Sequence, residues 1–304
     1  MADVIVLGGG IIGLTAAVRL RQAGARVTVW SPVGPERTVS SVAAAVWYPT
    51  RTEYDPRVRD WSRLTYDEFA GQAGDAPGVL LRPTRNLEYE PGDEVPWWAP
   101  EDVTIGPAPA PYRRSVHFTA PLVEMAAYLP WLGAQVTVER RAAARIEDAL
   151  AEAPVVVNAT GLAAGELCGD DAVYPARGQV VLVGNPGLDT SVRAAGDPPT
   201  YVHPRREDVV LGGTFEVGNR DLTPDPAVRE SILARCTALV PELAGAPVLG
   251  EKVGLRPCRR GGPRVERDGA VVHAYGHGGA GMTLCWGTAD EVTRLARDAW
   301  SGRC

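Results

Sequence analysis

The chain predicts an α/β fold in which a Rossmann-like parallel sheet is joined to an antiparallel sheet, with both units discontinuous in sequence. Three observations predict it. An apolar strand, Val4 to Leu7, runs directly into Gly8-Gly9-Gly10-Ile11-Ile12-Gly13 and then a helix. A second glycine-dense turn, Gly276-His277-Gly278-Gly279-Ala280-Gly281, feeds the last helix. Parallel-type elements recur at the start, middle and end of the chain, and short strands of antiparallel character fill the gaps between them.

In chain order, Ile11 to Ala23 is predicted helical, with Gly24 placed to cap its C-terminus, and Arg26 to Trp30 is the second parallel strand. Pro32 to Thr38 reads as a loop, and Ser40 to Val46 is small and apolar enough to pack beside a ligand. A helix is expected over Pro56 to Gln72, with Val58, Trp61, Leu64 and Phe69 on one stripe. Prolines and glycines from Pro91 to Tyr112 predict a wrapped surface loop. Thr119 and Pro121 read as the start of a helix ended by Gly133, before a strand over Gln135 to Glu139. Pro154 to Val157 is a buried strand entering Asn158-Ala159-Thr160-Gly161, whose small residues let a flat ligand approach. Strands follow at Gly178 to Val183, Thr200 to Pro204, Val209 to Val217, Glu251 to Pro257 and Val271 to Tyr275, with a helix starting near Pro226.

Composition narrows the function classes. The 304 residues carry a net charge of −6 with scattered basic residues, which speaks against a nucleic-acid binder. Arg19 and Arg21 end the first apolar run, and no other run approaches membrane-spanning length. The same segment lacks a basic leader region, and the chain ends in Ser301-Gly302-Arg303-Cys304 without a peroxisomal tripeptide, so a soluble, cytoplasmic protein is expected. The five cysteines show no C-x-x-C spacing; neither a disulfide framework nor a metal site is indicated.

Gly8-x-Gly10-x-x-Gly13 after a strand lets the backbone touch a pyrophosphate while the helix N-terminus, at Ile11 and Ile12, supplies positive potential. The second strand ends Val29-Trp30-Ser31-Pro32, without the acidic ribose partner of a nicotinamide site. Arg37, Thr38, Ser40 and Ser41 could serve phosphate or ribose instead, or form an ordinary polar loop. Two distant glycine turns that hold one long cofactor fit FAD best, and a helix starting near Met282 could stabilise the negative charge a reduced flavin collects.

Several short motifs fall in register from end to end. They are Ser41-Val42-Ala43-Ala44-Ala45-Val46-Trp47-Tyr48-Pro49, Val157 to Gly161, Arg177-Gly178-Gln179, Tyr201-Val202-His203-Pro204 with Leu211-Gly212-Gly213, Gly254-Leu255-Arg256-Pro257, and Tyr275 to Thr283. Together they resemble the D-amino-acid oxidase family over nearly the whole chain. That resemblance implies FAD, a D-amino acid substrate and oxygen as acceptor, and with no histidine or cysteine in a recognisable flavin-attachment motif the FAD is expected to be non-covalent. The implied reaction is hydride transfer from the substrate Cα to flavin N5, giving a 2-oxo acid, ammonia and hydrogen peroxide. Cofactor contacts would fall at the residues above together with Ala44, Ala45, Val46, Thr160, Gly161, Gly278, Gly279, Gly281, Met282 and Thr283. The FAD-binding domain would comprise residues 1–50, 140–185 and 265–304, and the antiparallel substrate-binding domain residues 51–139 and 186–264. A homodimer is compatible with the resemblance.

The substrate end has its own chemistry. A planar guanidinium matches a carboxylate with two parallel hydrogen bonds, and the resemblance makes Arg256 that clamp. Tyr201 falls on the family tyrosine that contacts the same carboxylate, and the Gly279 carbonyl on the acceptor for the substrate amine. No residue is assigned a role as acid or base, His277 included. Asp197 stands where eukaryotic members carry a lid tyrosine, so a full lid is not expected. Tyr48 stands where a glutamine is common, and its contact is left open. Thr214-Phe215-Glu216 lacks the arginine of D-aspartate oxidases, so neutral substrates are expected, unless Arg205, Arg206 or Arg220 reaches the pocket. D-aspartate oxidase, glycine oxidase, a flavin-dependent amino-acid dehydrogenase and a non-catalytic nucleotide-binding module are the alternatives.

Overall fold

A computed structural model describes residues 2–49 and 55–300. The first sheet has the order β14-β15-β7-β1-β2-β6. Its strands are β1 (Val4–Leu7), β2 (Val27–Trp30), β6 (Thr137–Glu139), β7 (Val155–Asn158), β14 (Arg264–Asp268) and β15 (Val271–Tyr275). All neighbours pair parallel except β14, which pairs antiparallel with β15 at the edge. Every side chain of β1 and β7 is buried, as expected for central strands covered on both faces.

Helix α1 (Ile11–Gln22) is buried nearly all round, which explains a sequence without a polar stripe. Gly24, at φ +95°, turns the chain beyond it. Helix α7 (Gly281–Trp300) packs on α1 and on α2 (Pro56–Gln72). At the α7–α2 crossing the backbone amides of Trp286 and Gly287 both donate to Thr65 Oγ1, at 3.1 and 3.0 Å. Asp55 caps α2 by accepting from the Arg57 amide. The buried stripe of α2 is Val58, Trp61, Ser62, Thr65 and Phe69; Leu64 is 46% exposed, so it does not belong to the stripe.

The second sheet runs β12-β8-β11-β10-β9-β3-β5-β4, with β13 also paired to β8. Its strands are β3 (Val79–Glu88), β4 (Thr104–Gly106), β5 (Arg114–Val123), β8 (Val173–Gly184), β9 (Ser191–Ala194), β10 (Thr200–Pro204), β11 (Asp208–Gly212), β12 (Glu216–Val217) and β13 (Val248–Arg259). The remaining helices are α3 (Met125–Gly133), α4 (Ile146–Leu150), α5 (Ala164–Cys168) and α6 (Pro226–Leu239).

Three expectations are corrected. Thr119 and Pro121 do not open a helix: they lie inside β5, where Val116, Phe118, Ala120 and Leu122 are buried with period two, and the long ladder to β3 outweighs the proline signal. Helix α3 begins only after Glu124. The expected strand Val209 to Val217 is two strands, because the chain leaves the ladder after Gly212 and returns at Glu216. The Pro91 to Tyr112 loop contains β4, and Trp98 within it packs edge-on to Tyr48 and Phe118.

Candidate active site

One cavity of about 620 Å³ runs from the Gly8–Gly10 turn to the face of the second sheet. At its first end the amide of Ile11 donates to Ser40 Oγ at 3.0 Å, while Gly10 at the N-cap has no side chain to occupy the following amides and the first turn of α1 holds no acidic residue. The helix therefore presents backbone donors and positive potential to the cavity, the arrangement a phosphate requires. Gly8 sits at φ +112°, and a Cβ there would lie 2.4 Å from the Ala159 carbonyl. These features fit a dinucleotide.

Most residues expected at the cofactor line this cavity: Gly8, Gly10, Ile11, Ile12, Arg37, Thr38, Ser40, Ala44, Ala45, Val46, Thr160, Gly161, Gly278, Gly279, Gly281, Met282 and Thr283. Two do not. Gly13 lies behind the turn, where a Cβ would meet the Gly8 carbonyl at 1.9 Å, so its task is close packing of helix on strand. Ser41 donates its hydroxyl to the carbonyls of Glu36 and Thr38, which makes it a turn-former. Sequence reading missed Trp30, Ser31 and Arg141 on the wall. Arg141 stacks 3.6 Å over the Trp30 ring and pairs with Glu152, a contact between distant segments that no local motif signals.

At the other end, β13 and β8 place Arg256 against Gly178 and Gly279. A Cβ on Gly178 would lie 2.3 Å from Arg256 Nη1, so only glycine leaves the guanidinium its place. Arg256 Nη1 donates to the carbonyls of Thr214 and Arg177, and the guanidinium lies 5.2 Å from the Phe215 ring centroid. Tyr201, only 8% exposed, lines the same cavity. Its ring presses on Gly212, where a Cβ would stand 1.9 Å from Tyr201 Cζ.

Arg177 is a structural knot. Its buried guanidinium donates to Gln179 Oε1, to Glu216 Oε1 and to the carbonyls of Asp221 and Thr223, which fixes the segment that carries Phe215. Glu216 is thus neutralised at 2.9 Å and is not on the cavity wall, whereas Phe215 is. Of the arginines weighed for the side-chain end, none of Arg205, Arg206 and Arg220 lines the cavity, and Arg205 is held by Asp208. Arg193 of β9 does line it, with its guanidinium 4.0 Å over the Tyr48 ring. No motif flanks Arg193; only its cross-strand register opposite Tyr201 brings it here.

Burial pushes the His277 imidazole down to about 3, and its Nε2 lies 3.2 Å from Thr288 Oγ1. It is neutral at working pH. His203, also on the wall, is held well below the ordinary histidine range by burial and by the field of Arg193. No group of three or more metal-ligating side chains occurs among the described residues, and no described helix is long and apolar enough to cross a membrane.

Residues 3–295 match the family model of FAD dependent oxidoreductases. The chain is 43% identical to a D-amino-acid oxidase of Rubrobacter xylanophilus, over 99% of this chain and 98% of that one. It is 36% identical to the D-aspartate oxidase of Homo sapiens, over 98% and 95% of the two chains. Among solved structures, the L-α-glycerophosphate oxidase of Mycoplasma pneumoniae superposes with a TM-score of 0.80 at 15% identity, over 97% and 94%, a likeness of fold alone. The matched family spans both sheets and both glycine turns, and the chain belongs to the FAD dependent oxidoreductases of the DAO family.

Proposed function

We propose that the chain is a D-amino-acid oxidase that holds FAD non-covalently and deaminates neutral D-amino acids. One observation carries the reading: a guanidinium, Arg256, is fixed against Gly178 and Gly279 in a cavity that Tyr201 also lines and that reaches a phosphate-type glycine turn. In this reading the first sheet and the helices on it hold FAD and the second sheet shapes the substrate end, with β8 (Val173–Gly184) on the substrate side and β6 (Thr137–Glu139) on the cofactor side, although the sequence division places each with the other unit. The protein works in the cytoplasm with oxygen as acceptor, and a homodimer is compatible with it.

The chemistry that FAD supplies when bound is two-electron oxidation of the substrate's Cα–N bond, with oxygen restoring the oxidant and leaving as hydrogen peroxide. The chain's own residues do the positioning. Arg256 binds the substrate carboxylate, and the Tyr201 hydroxyl donates to the same group. The Gly279 carbonyl accepts a hydrogen bond from the amine, which orients the nitrogen lone pair along the Cα–H bond. With carboxylate and amine fixed, only one enantiomer turns its Cα hydrogen toward the cofactor. The N-terminus of α7, without an acidic residue in its first turn, would favour negative charge on a group held against it. Phe215 and Val180 line the cavity and keep water from the bound substrate, and the imino acid takes up water once released, giving the 2-oxo acid and ammonia.

Purified protein given D-alanine should release peroxide, and given L-alanine should release none. Acid precipitation should leave the flavin in a yellow supernatant. Colour retained in the pellet would sink the non-covalent assignment, and equal peroxide from both enantiomers would sink the substrate geometry.

Arg193 favours a second reading, in which the side-chain end takes a carboxylate and D-aspartate is the better substrate. The two separate in a side-by-side panel. Arg193→Met should leave D-alanine turnover within roughly threefold under the first reading. Under the second it should lower kcat/KM for D-aspartate about a hundredfold, the worth of a charge-assisted hydrogen bond.

A further inference from the structure

Tyr201 and His203 are two residues apart on β10, so their side chains leave the same face of the sheet. Their rings stack at 4.8 Å between centroids with only 15° between the planes. The Tyr201 ring also presses on the Gly212–Gly213 backbone, where a Cβ at Gly213 would lie 2.8 Å from the tyrosine oxygen. On the neighbouring strand the Arg193 guanidinium stands 6.0 Å from the Tyr201 centroid. The phenol is therefore gripped between a ring and a glycine backbone.

His203 is 2% exposed, and its Nδ1 has no side-chain partner, with the Val202 backbone as the polar neighbour of the ring. So slight a polar contact does not explain why an imidazole stands here. What the side chain contributes is its face. A neutral ring suits that place, because an imidazolium would stand beside the Arg193 cation. We propose that His203 is a positioning residue, stacked on Tyr201 so that the tyrosine hydroxyl is held on the substrate carboxylate. The proposal rests on the reading of Tyr201 as a carboxylate contact.

The test uses the flavin-loaded enzyme and benzoate, a planar carboxylate whose binding is read from the shift of the flavin absorbance bands. His203→Ala should weaken benzoate about tenfold and raise KM for D-alanine by a similar factor, with kcat changed less than about threefold. His203→Phe keeps a ring and removes Nδ1; it should restore affinity to within about threefold of the parent. His203→Gln is polar and of similar size but has no face to stack, so it should behave like the alanine variant. In a Tyr201→Phe background, which has no hydroxyl left to position, His203→Ala should change benzoate affinity less than about twofold.

Unchanged benzoate affinity in His203→Ala overturns the proposal, as does rescue by glutamine rather than phenylalanine, or a His203→Ala effect that persists undiminished with Tyr201→Phe. If Tyr201→Phe itself leaves benzoate binding intact, the carboxylate reading of Tyr201 fails and the proposal falls with it. If Tyr201→Phe weakens benzoate and His203→Ala does not, only the proposal fails.

Discussion

Arg256→Leu should abolish most turnover and leave the flavin bound. The guanidinium takes its place from Gly178 and Gly279 and from the carbonyls of Thr214 and Arg177, all at the substrate end, while the glycine turn at Gly8–Gly10 lies at the other end of the cavity. Leucine fills a similar volume, so the walls around it have no reason to collapse. What disappears is a charge-assisted, two-pronged partner for the carboxylate, and with it the alignment of Cα. Loss of such a pair costs on the order of 3 kcal/mol, so kcat/KM for D-alanine should fall by roughly two orders of magnitude or more. Steady-state kinetics with the flavin-to-protein ratio measured on the same sample decides it. Near-parental kinetics would remove Arg256 from the site, and loss of flavin would show that the two ends of the cavity are not independent.

Much of this architecture was legible in the sequence, and the reasons are local. Helix α2 is bounded by Asp55, Pro56 and Gln72, and β10 and β15 by turn residues, so their limits follow from caps and short apolar runs. Where the signal is not local, the reading failed. Pro121 resembles a helix start until the neighbouring ladder to β3 is known. At the site, residues within glycine turns were readable because a glycine there has a backbone reason. Arg193 and His203 were not, since each is an ordinary strand residue whose importance comes from facing Tyr201 across or along the sheet. Glu216 shows the opposite case: a carboxylate next to Phe215 in sequence is off the cavity wall and paired with Arg177, so its charge says little about substrate preference.

The largest structural effect is expected at the last glycine of the first turn. Gly13 does not line the cavity, yet a Cβ there would lie 1.9 Å from the Gly8 carbonyl and 3.4 Å from Ala159 Cβ. The obstacle is backbone, which cannot rotate aside as a side chain would. Gly13→Ala must therefore push α1 away from β1 and β7, and the N-terminus of α1 would move off the position in which Ile11 meets Ser40. Overpacking of this kind costs about 3 kcal/mol, which for a chain of this size lowers Tm by roughly 5 °C. Displacement of the helix donors should weaken FAD more than tenfold, read by quenching of flavin fluorescence as apoprotein is titrated. Gly71→Ala supplies the control, because that glycine lies within α2 with nothing inside 4 Å of its would-be Cβ. Alanine there should be neutral or stabilising by up to about 1 kcal/mol, since it removes backbone freedom from the unfolded chain and touches nothing. If both variants melt and bind FAD alike, the close approach of helix and strand at Gly13 is not what fixes the cofactor end of the cavity.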